Sequence, residues 1–182
     1  MNRSGLKFIT PVLACPVLAC PVLVCLVLAV VTLGSAQAQN YVGLSGGLMD
    51  MKDSPNDIDS QGFTLIAAGQ YDPRIGIEFT YTSIADVKVN SQTTRAEVIG
   101  LSALFRSPGE VFVPFVRVGI GRVSGRIADD VSPYKEKSEG LLLGIGADFD
   151  MSYNSAFRVE YVEGKMDGTD TSRFSLGTIY RF

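Results

Sequence analysis

The chain has 182 residues, a net charge of −3, no His and no Trp, and all three of its cysteines lie before residue 26. With neither His nor downstream Cys, Ser–His, Cys–His and Asp–His catalysis is excluded, as are thiolate metal sites and disulfides beyond that point. No basic patch suggests nucleic acid, and no cofactor is expected.

The first 38 residues read as an export signal. Arg3 and Lys7 give a positive start, Phe8 to Leu33 carry no charge, and Ala36-Gln37-Ala38 offers small residues for cleavage before Gln39. The apolar stretch is longer than the usual ~7–15 residues. The excess comes from a tandem pentapeptide: PVLAC at Pro11–Cys15 and Pro16–Cys20, then PVLVC at Pro21–Cys25. An uncleaved anchor is disfavoured by the three prolines, and a lipoprotein signal by the apolar residues that continue past Cys15 and Cys20. Loss of Arg3 and Lys7 takes the net charge from −3 to −5, and residues 39–182 amount to a single domain.

Beyond Asn40 no segment has helical periodicity over ten residues, and none approaches a transmembrane helix. Period-two alternation instead predicts eight strands: Tyr41–Met51, Gln61–Tyr71, Arg74–Ile84, Thr93–Arg106, Val111–Ser124, Ser138–Asp150, Ala156–Glu163 and Thr171–Phe182. In the third, Ile75, Ile77, Phe79 and Tyr81 alternate with Gly76, Glu78, Thr80 and Thr82. In the fifth, Val116, Val118 and Ile120 alternate with Arg117, Gly119 and Gly121. In the sixth, Leu141, Leu143 and Ile145 alternate with Leu142, Gly144 and Gly146. In the seventh, Phe157, Val159 and Tyr161 alternate with Arg158, Glu160 and Val162. In the last, Phe174, Leu176, Tyr180 and Phe182 share a face opposite Arg173, Ser175, Gly177 and Arg181.

The connections alternate in length. Asp72–Arg74, Ser107–Glu110 and Met151–Ser155 are short and built from turn formers. Lys52–Ser60, Ala85–Gln92, Gly125–Lys137 and Gly164–Asp170 are mostly longer and rich in charge. A soluble sandwich would turn its charges to water and its aliphatics to the core; a membrane barrel reverses this. The export signal, the sorted loops and the aromatic C-terminus favour the barrel. The expected fold is all-β: an eight-stranded antiparallel transmembrane β-barrel with short periplasmic turns and longer extracellular loops.

The signal, the eight strands in this order, the run FVPFVRVGIGRV at Phe112–Val123 and the terminal YRF resemble the OmpA/OmpX-like outer-membrane β-barrel family, often labelled porin-family proteins. The likeness spans about Asn40 to Phe182 and lies in the order of the segments, not in one diagnostic motif. It implies an integral outer-membrane protein surrounded by membrane lipid and lipopolysaccharide. The terminal aromatics Phe174, Tyr180 and Phe182 resemble the signal read by the outer-membrane barrel-assembly machinery. With no Trp, the interfacial girdle falls to Tyr41, Phe63, Tyr71, Phe79, Tyr81, Phe105, Phe149, Tyr161 and the same terminal aromatics. A monomer is expected.

The sharpest candidate site is interior charge: Glu78, Arg117, Asp148, Arg158, Glu160 and Arg181. Counting from the turns puts Glu78, Arg117 and Glu160 at one depth and Asp148 opposite Arg158. Two roles fit: a polar plug in place of an apolar core, or a gate in which Arg117 switches between Glu78 and Glu160. No metal site is expected. Asp57-Ile58-Asp59 loosely echoes a calcium loop, but the twelfth position is Ala68 where Glu is needed. The acids Asp53, Asp57 and Asp59, and the mixed charges from Asp129 to Glu139, suit diffuse surface contacts.

Three readings of function follow. The first is a non-enzymatic envelope or surface-interaction protein acting through its loops, in the manner of an adhesin or invasion protein. The second is a narrow channel for ions or very small solutes. The third is a soluble periplasmic barrel that binds an apolar ligand.

Overall fold

The computed structural model describes residues 39–53, 56–89, 92–127, 135–166 and 169–182. The expected signal lies outside them, as do Asp129 and Asp130. Eight strands follow in order: β1 (Asn40–Asp53), β2 (Asn56–Asp72), β3 (Ile75–Val89), β4 (Gln92–Arg106), β5 (Phe112–Ile127), β6 (Lys135–Asp150), β7 (Ser155–Met166) and β8 (Thr169–Arg181).

Each strand pairs antiparallel with the next, and β8 returns to pair with β1 from Tyr41↔Arg181 to Lys52↔Asp170. Closure satisfies every edge, which is what a sheet surrounded by lipid requires.

The short turns and both barrel termini share one end. Asp72 Oδ1 accepts from the amides of Arg74 (2.6 Å) and Ile75 (3.0 Å), fixing the first turn. The amide of Ser107 donates to Pro114 O at 2.9 Å, and that of Met151 to Ser155 O at 3.0 Å. The seam closes where the Phe182 amide donates to Asn40 O (2.9 Å) and the Asn40 amide to Phe182 O (3.3 Å).

At the other end the strands outrun their expected bounds. β1 and β2 pair as far as Asp53↔Asn56, β3 and β4 as far as Val89↔Gln92, and β7 and β8 as far as Met166↔Thr169. Much of the length expected as loop is paired strand. The onset of charge in the sequence marks where the apolar surroundings end. It does not mark where hydrogen bonding ends, because a strand leaving the membrane can carry charge in water. A bilayer crossing takes about 9–11 residues, and these strands have 12 to 17.

The faces sort as period two requires. Leu44, Leu48, Ile77, Ile120, Ile145 and Leu176 point outward, with Leu48, Ile120 and Ile145 all above 60% exposed. A band of large aliphatics this bare does not suit a soluble surface and suits lipid. The inner face carries Glu78, Arg117, Asp148, Arg158 and Glu160, all 2% exposed or less.

Candidate functional site

Period two places Arg158 and Glu160, two residues apart on β7, on the same inner face. The register sets Asp148 of β6 directly opposite Arg158. Arg158 Nε donates to Asp148 Oδ1 at 2.7 Å and Nη2 to Oδ2 at 3.0 Å, a two-point grip. Its third nitrogen, Nη1, donates to Glu78 Oε2 at 2.6 Å. The guanidinium also lies over the Phe115 ring, 4.7 Å from its centroid, so its flat face is covered as well as its edge.

Glu78 is the hub. Its Oε1 accepts from Arg117 Nη2, and its Oε2 accepts from both Arg158 and the Tyr41 hydroxyl, the latter at 2.7 Å. The Tyr41 oxygen in turn accepts from Arg106 Nη2 at 2.7 Å. Arg106 Nη2 stands 3.5 Å from Asp148 Oδ2, which ties β4 into the cluster.

Arg117 links this group to a second one. Its Nη2 also lies 2.7 Å from Glu160 Oε1, an ion pair without hydrogen-bond alignment. Glu160 Oε2 accepts from Arg173 Nη2 at 3.2 Å. Arg173 Nη1 donates to the hydroxyls of Thr64 (2.9 Å) and Thr82 (2.6 Å), which are themselves bonded at 2.9 Å. Among the described residues the joined cluster holds four guanidiniums, at 106, 117, 158 and 173, against three carboxylates, at 78, 148 and 160.

Five of the six interior charges read from the sequence meet here. Arg181 does not. It pairs with Asp150 at 2.7 Å beside the short-turn end, and no ion pair among the described residues joins it to the cluster. It shares the inner parity of β8 but lies eight residues from Arg173, too far along the strand to reach the middle.

Two other expectations need correction. Tyr41 belongs to the lumen, not the outer girdle: it is 1% exposed, and its hydroxyl serves three charged residues. The interior is also not polar throughout. Apolar clusters lie on either side of the charges, one of Tyr41, Ile66, Ala68, Ala156 and Ile179, the other including Met49, Ile84, Leu142 and Val162. Sequence reasoning missed Arg106, Arg173 and Tyr41 as cluster members. Parity could have found the two arginines, since Arg106 is in phase with Ser102 and Leu104, and Arg173 with Ser175.

The terminal aromatics Phe174, Tyr180 and Phe182 are all on the outer face, between 45% and 54% exposed. A shallow groove of about 640 Å³ lies on the outer wall among Phe105, Val116, Ile145, Phe149, Tyr161 and Phe174. Its lining is mostly apolar, with Ser107 and Glu160 also contributing to it. Among the described residues no three His, Cys, Asp or Glu side chains gather as metal ligands. The side chains of Asp53, Asp57 and Asp59 are outside what the structure describes.

The family model of the outer membrane protein beta-barrel domain matches residues 22–182. No curated protein matches the sequence. Among solved structures, Neisserial surface protein A (NspA) is similar with a TM-score of 0.70 at 15% identity, covering 79% of this chain and 97% of its own. Ail, the attachment invasion locus protein of Yersinia pestis, gives 0.62 at 17% identity, covering 80% and 99%. The N-terminal β-barrel domain of Pseudomonas aeruginosa OprF gives 0.57 at 15%, covering 80% and 100%. At these identities the likeness is one of fold.

Proposed function

The chain belongs to the outer membrane protein beta-barrel domain family, and on that premise we propose that it is a non-enzymatic surface protein working through the hairpins that rise beyond the membrane. The family places it in the outer membrane as an integral protein. The observation that carries the proposal is the filled lumen. Glu78, Asp148, Arg117, Arg158 and Glu160 are each at most 2% exposed and are locked to one another across β3, β5, β6 and β7. A solute has no room there, so recognition falls to the outside.

The extended strands supply the outside surface. The register sets Arg95 of β4 opposite Arg126 of β5, and Arg126 opposite Lys135 of β6. The register thus puts three basic residues in one row across three strands. A sulfated or phosphorylated polyanion suits such a row, and lipopolysaccharide is one such partner. Ail has been solved in complex with the heparin analogue sucrose octasulfate; that complex suggests the assay, while the argument rests on the basic row.

The test is retention on immobilised heparin, and on lipopolysaccharide vesicles, of the detergent-solubilised full chain and of Arg126→Glu. Retention that falls with salt and is lost in Arg126→Glu is expected. Equal behaviour of the two proteins on both supports would remove the polyanion reading.

A narrow pore is the second reading, and one observation favours it. Arg117 meets Glu78 and Glu160 at once, so it could trade one for the other.

A further inference from the structure

Moving away from the short turns, the inner faces of β3, β4 and β7 change from charged and polar to apolar, while β8 keeps Arg173 opposite Met49 and Val162, and Thr171 opposite Gly164. On β7 the inner face runs Arg158, Glu160, then Val162 and Met166. On β3 it runs Glu78, Thr80, Thr82, then Ile84, and on β4 Ser102 and Gly100 give way to Val98 and Ala96. Met49 from β1 and Leu142 from β6 join these in one buried cluster, and Val123 of β5 packs against it. Six of the eight strands therefore contribute to a single apolar layer.

Leu142 sits at its centre. A Cβ on Gly100 of β4 would come 2.9 Å from Leu142 Cδ1, and one on Gly121 of β5 would come 2.8 Å from the same atom. A Cβ on Gly164 of β7 would come 3.1 Å from Leu142 Cδ2 and 3.2 Å from Met166 Cε. Three glycines on three strands thus clear the volume that one leucine fills. Its side chain reaches past the neighbouring β5 to β4.

We infer that this layer, with Leu142 at its centre, is a dry seal that closes the lumen to ions and water independently of the charge network. Apolar constrictions block conduction by excluding water, without any steric plug. Apart from Arg173, which stands level with Met49 and Val162, the charge network lies on the short-turn side of the layer and in series with it. Releasing Arg117 from Glu78 or Glu160 would therefore hydrate the middle of the barrel and leave the path closed above it. The inference does not depend on the surface role, and it would hold if no loop partner existed.

The experiment is planar-bilayer recording of the full chain, purified from membranes with insertion confirmed by heat-modifiable migration. Four proteins are compared: wild type, Arg117→Ala, and Arg117→Ala combined with Leu142→Ser or with Val162→Thr. The last adds a hydroxyl to the layer at nearly constant volume, so it serves if the combination with Leu142→Ser fails to fold. Wild type and Arg117→Ala are expected at baseline, with discrete openings appearing in the two combined variants. Openings in wild type or in Arg117→Ala alone would overturn the seal. Silence in all four would overturn it too, because a hydrated layer would then not be what limits conduction.

Discussion

Arg158 and Asp148 stand directly opposite each other on β7 and β6 and are joined by two hydrogen bonds, 2.7 and 3.0 Å long, with neither group reached by solvent. Burying two such charges is costly, and the cost is recovered only when every donor and acceptor is used. Here Arg158 spends its remaining nitrogen on Glu78. Asp148→Asn should therefore lower unfolding stability by about 3–5 kcal/mol, the usual range when one partner of a buried pair is removed. Urea unfolding in detergent micelles, followed by tryptophan-free tyrosine fluorescence or circular dichroism, reads this directly. A midpoint equal to wild type would mean that water, not Asp148, balances Arg158.

The cluster's surplus of cations separates two variants. Glu160→Gln leaves four guanidiniums facing two carboxylates, whereas Arg173→Gln leaves three facing three. Arg173 is also the least buried of the four, at 11%. Glu160→Gln should cost several kcal/mol and Arg173→Gln about 1 kcal/mol or less. Equal losses in paired unfolding curves would contradict the charge count as the governing quantity.

Tyr41→Phe keeps the ring and removes the hydroxyl. Glu78 loses a donor at 2.7 Å and Arg106 an acceptor at 2.7 Å. Hydrogen bonds to charged groups are worth about 1.5–3 kcal/mol, so a loss in that range is expected by equilibrium unfolding. The guanidiniums of Arg106 and Arg158, 4.8 and 5.3 Å from the ring centroid, keep their cation–π contacts in the variant and hold the loss within that range.

Glycines in strands differ sharply in what a methyl group would meet. On Gly119 of β5 a Cβ would run into Leu101 O and Ser102 Oγ of β4, and come 2.7 Å from Ser102 Cα. On Gly46 of β1 the nearest atom is Gly62 O at 3.9 Å. Gly119→Ala should prevent β4 and β5 from closing and abolish the heat-modifiable band, whereas Gly46→Ala should be neutral or stabilise by about 0.4–1 kcal/mol. Assembly of Gly119→Ala at wild-type yield would show that the strands can separate there without cost.

Much of this was legible in the sequence, because a barrel is written in a local code. Period two assigns Ile77 outward and Glu78 inward with no knowledge of the rest of the chain. The turn formers at Asp72–Arg74 set the register that brings β2 to β3. The pairing of Asp148 with Arg158 followed from counting outward from one turn. What stayed hidden is what depends on the whole ring. Tyr41 and Arg106 are 65 residues apart, and they meet only because closure wraps the early strands around the lumen. Leu142 stands on a glycine-rich face, and the reason for it lies on β4, β5 and β7. The strands outrun the bounds the sequence predicts because the onset of charge does not end pairing.

The C-terminal residue offers a test that separates two roles. Its backbone closes the seam, donating to Asn40 O and accepting from the Asn40 amide. Its ring is half exposed on the outer face, in phase with Phe174 and Tyr180, and no backbone bond depends on it. Phe182→Ala keeps the seam bonds and removes only the ring, whereas deletion of residue 182 removes both. If the ring is the signal read during assembly, Phe182→Ala should reduce the heat-modifiable, membrane-inserted fraction in cells nearly as far as the deletion does. Phe182→Tyr should restore it, and purified Phe182→Ala should still refold in detergent at wild-type yield. Normal insertion of Phe182→Ala in cells, with failure confined to the deletion, would leave residue 182 the seam role alone.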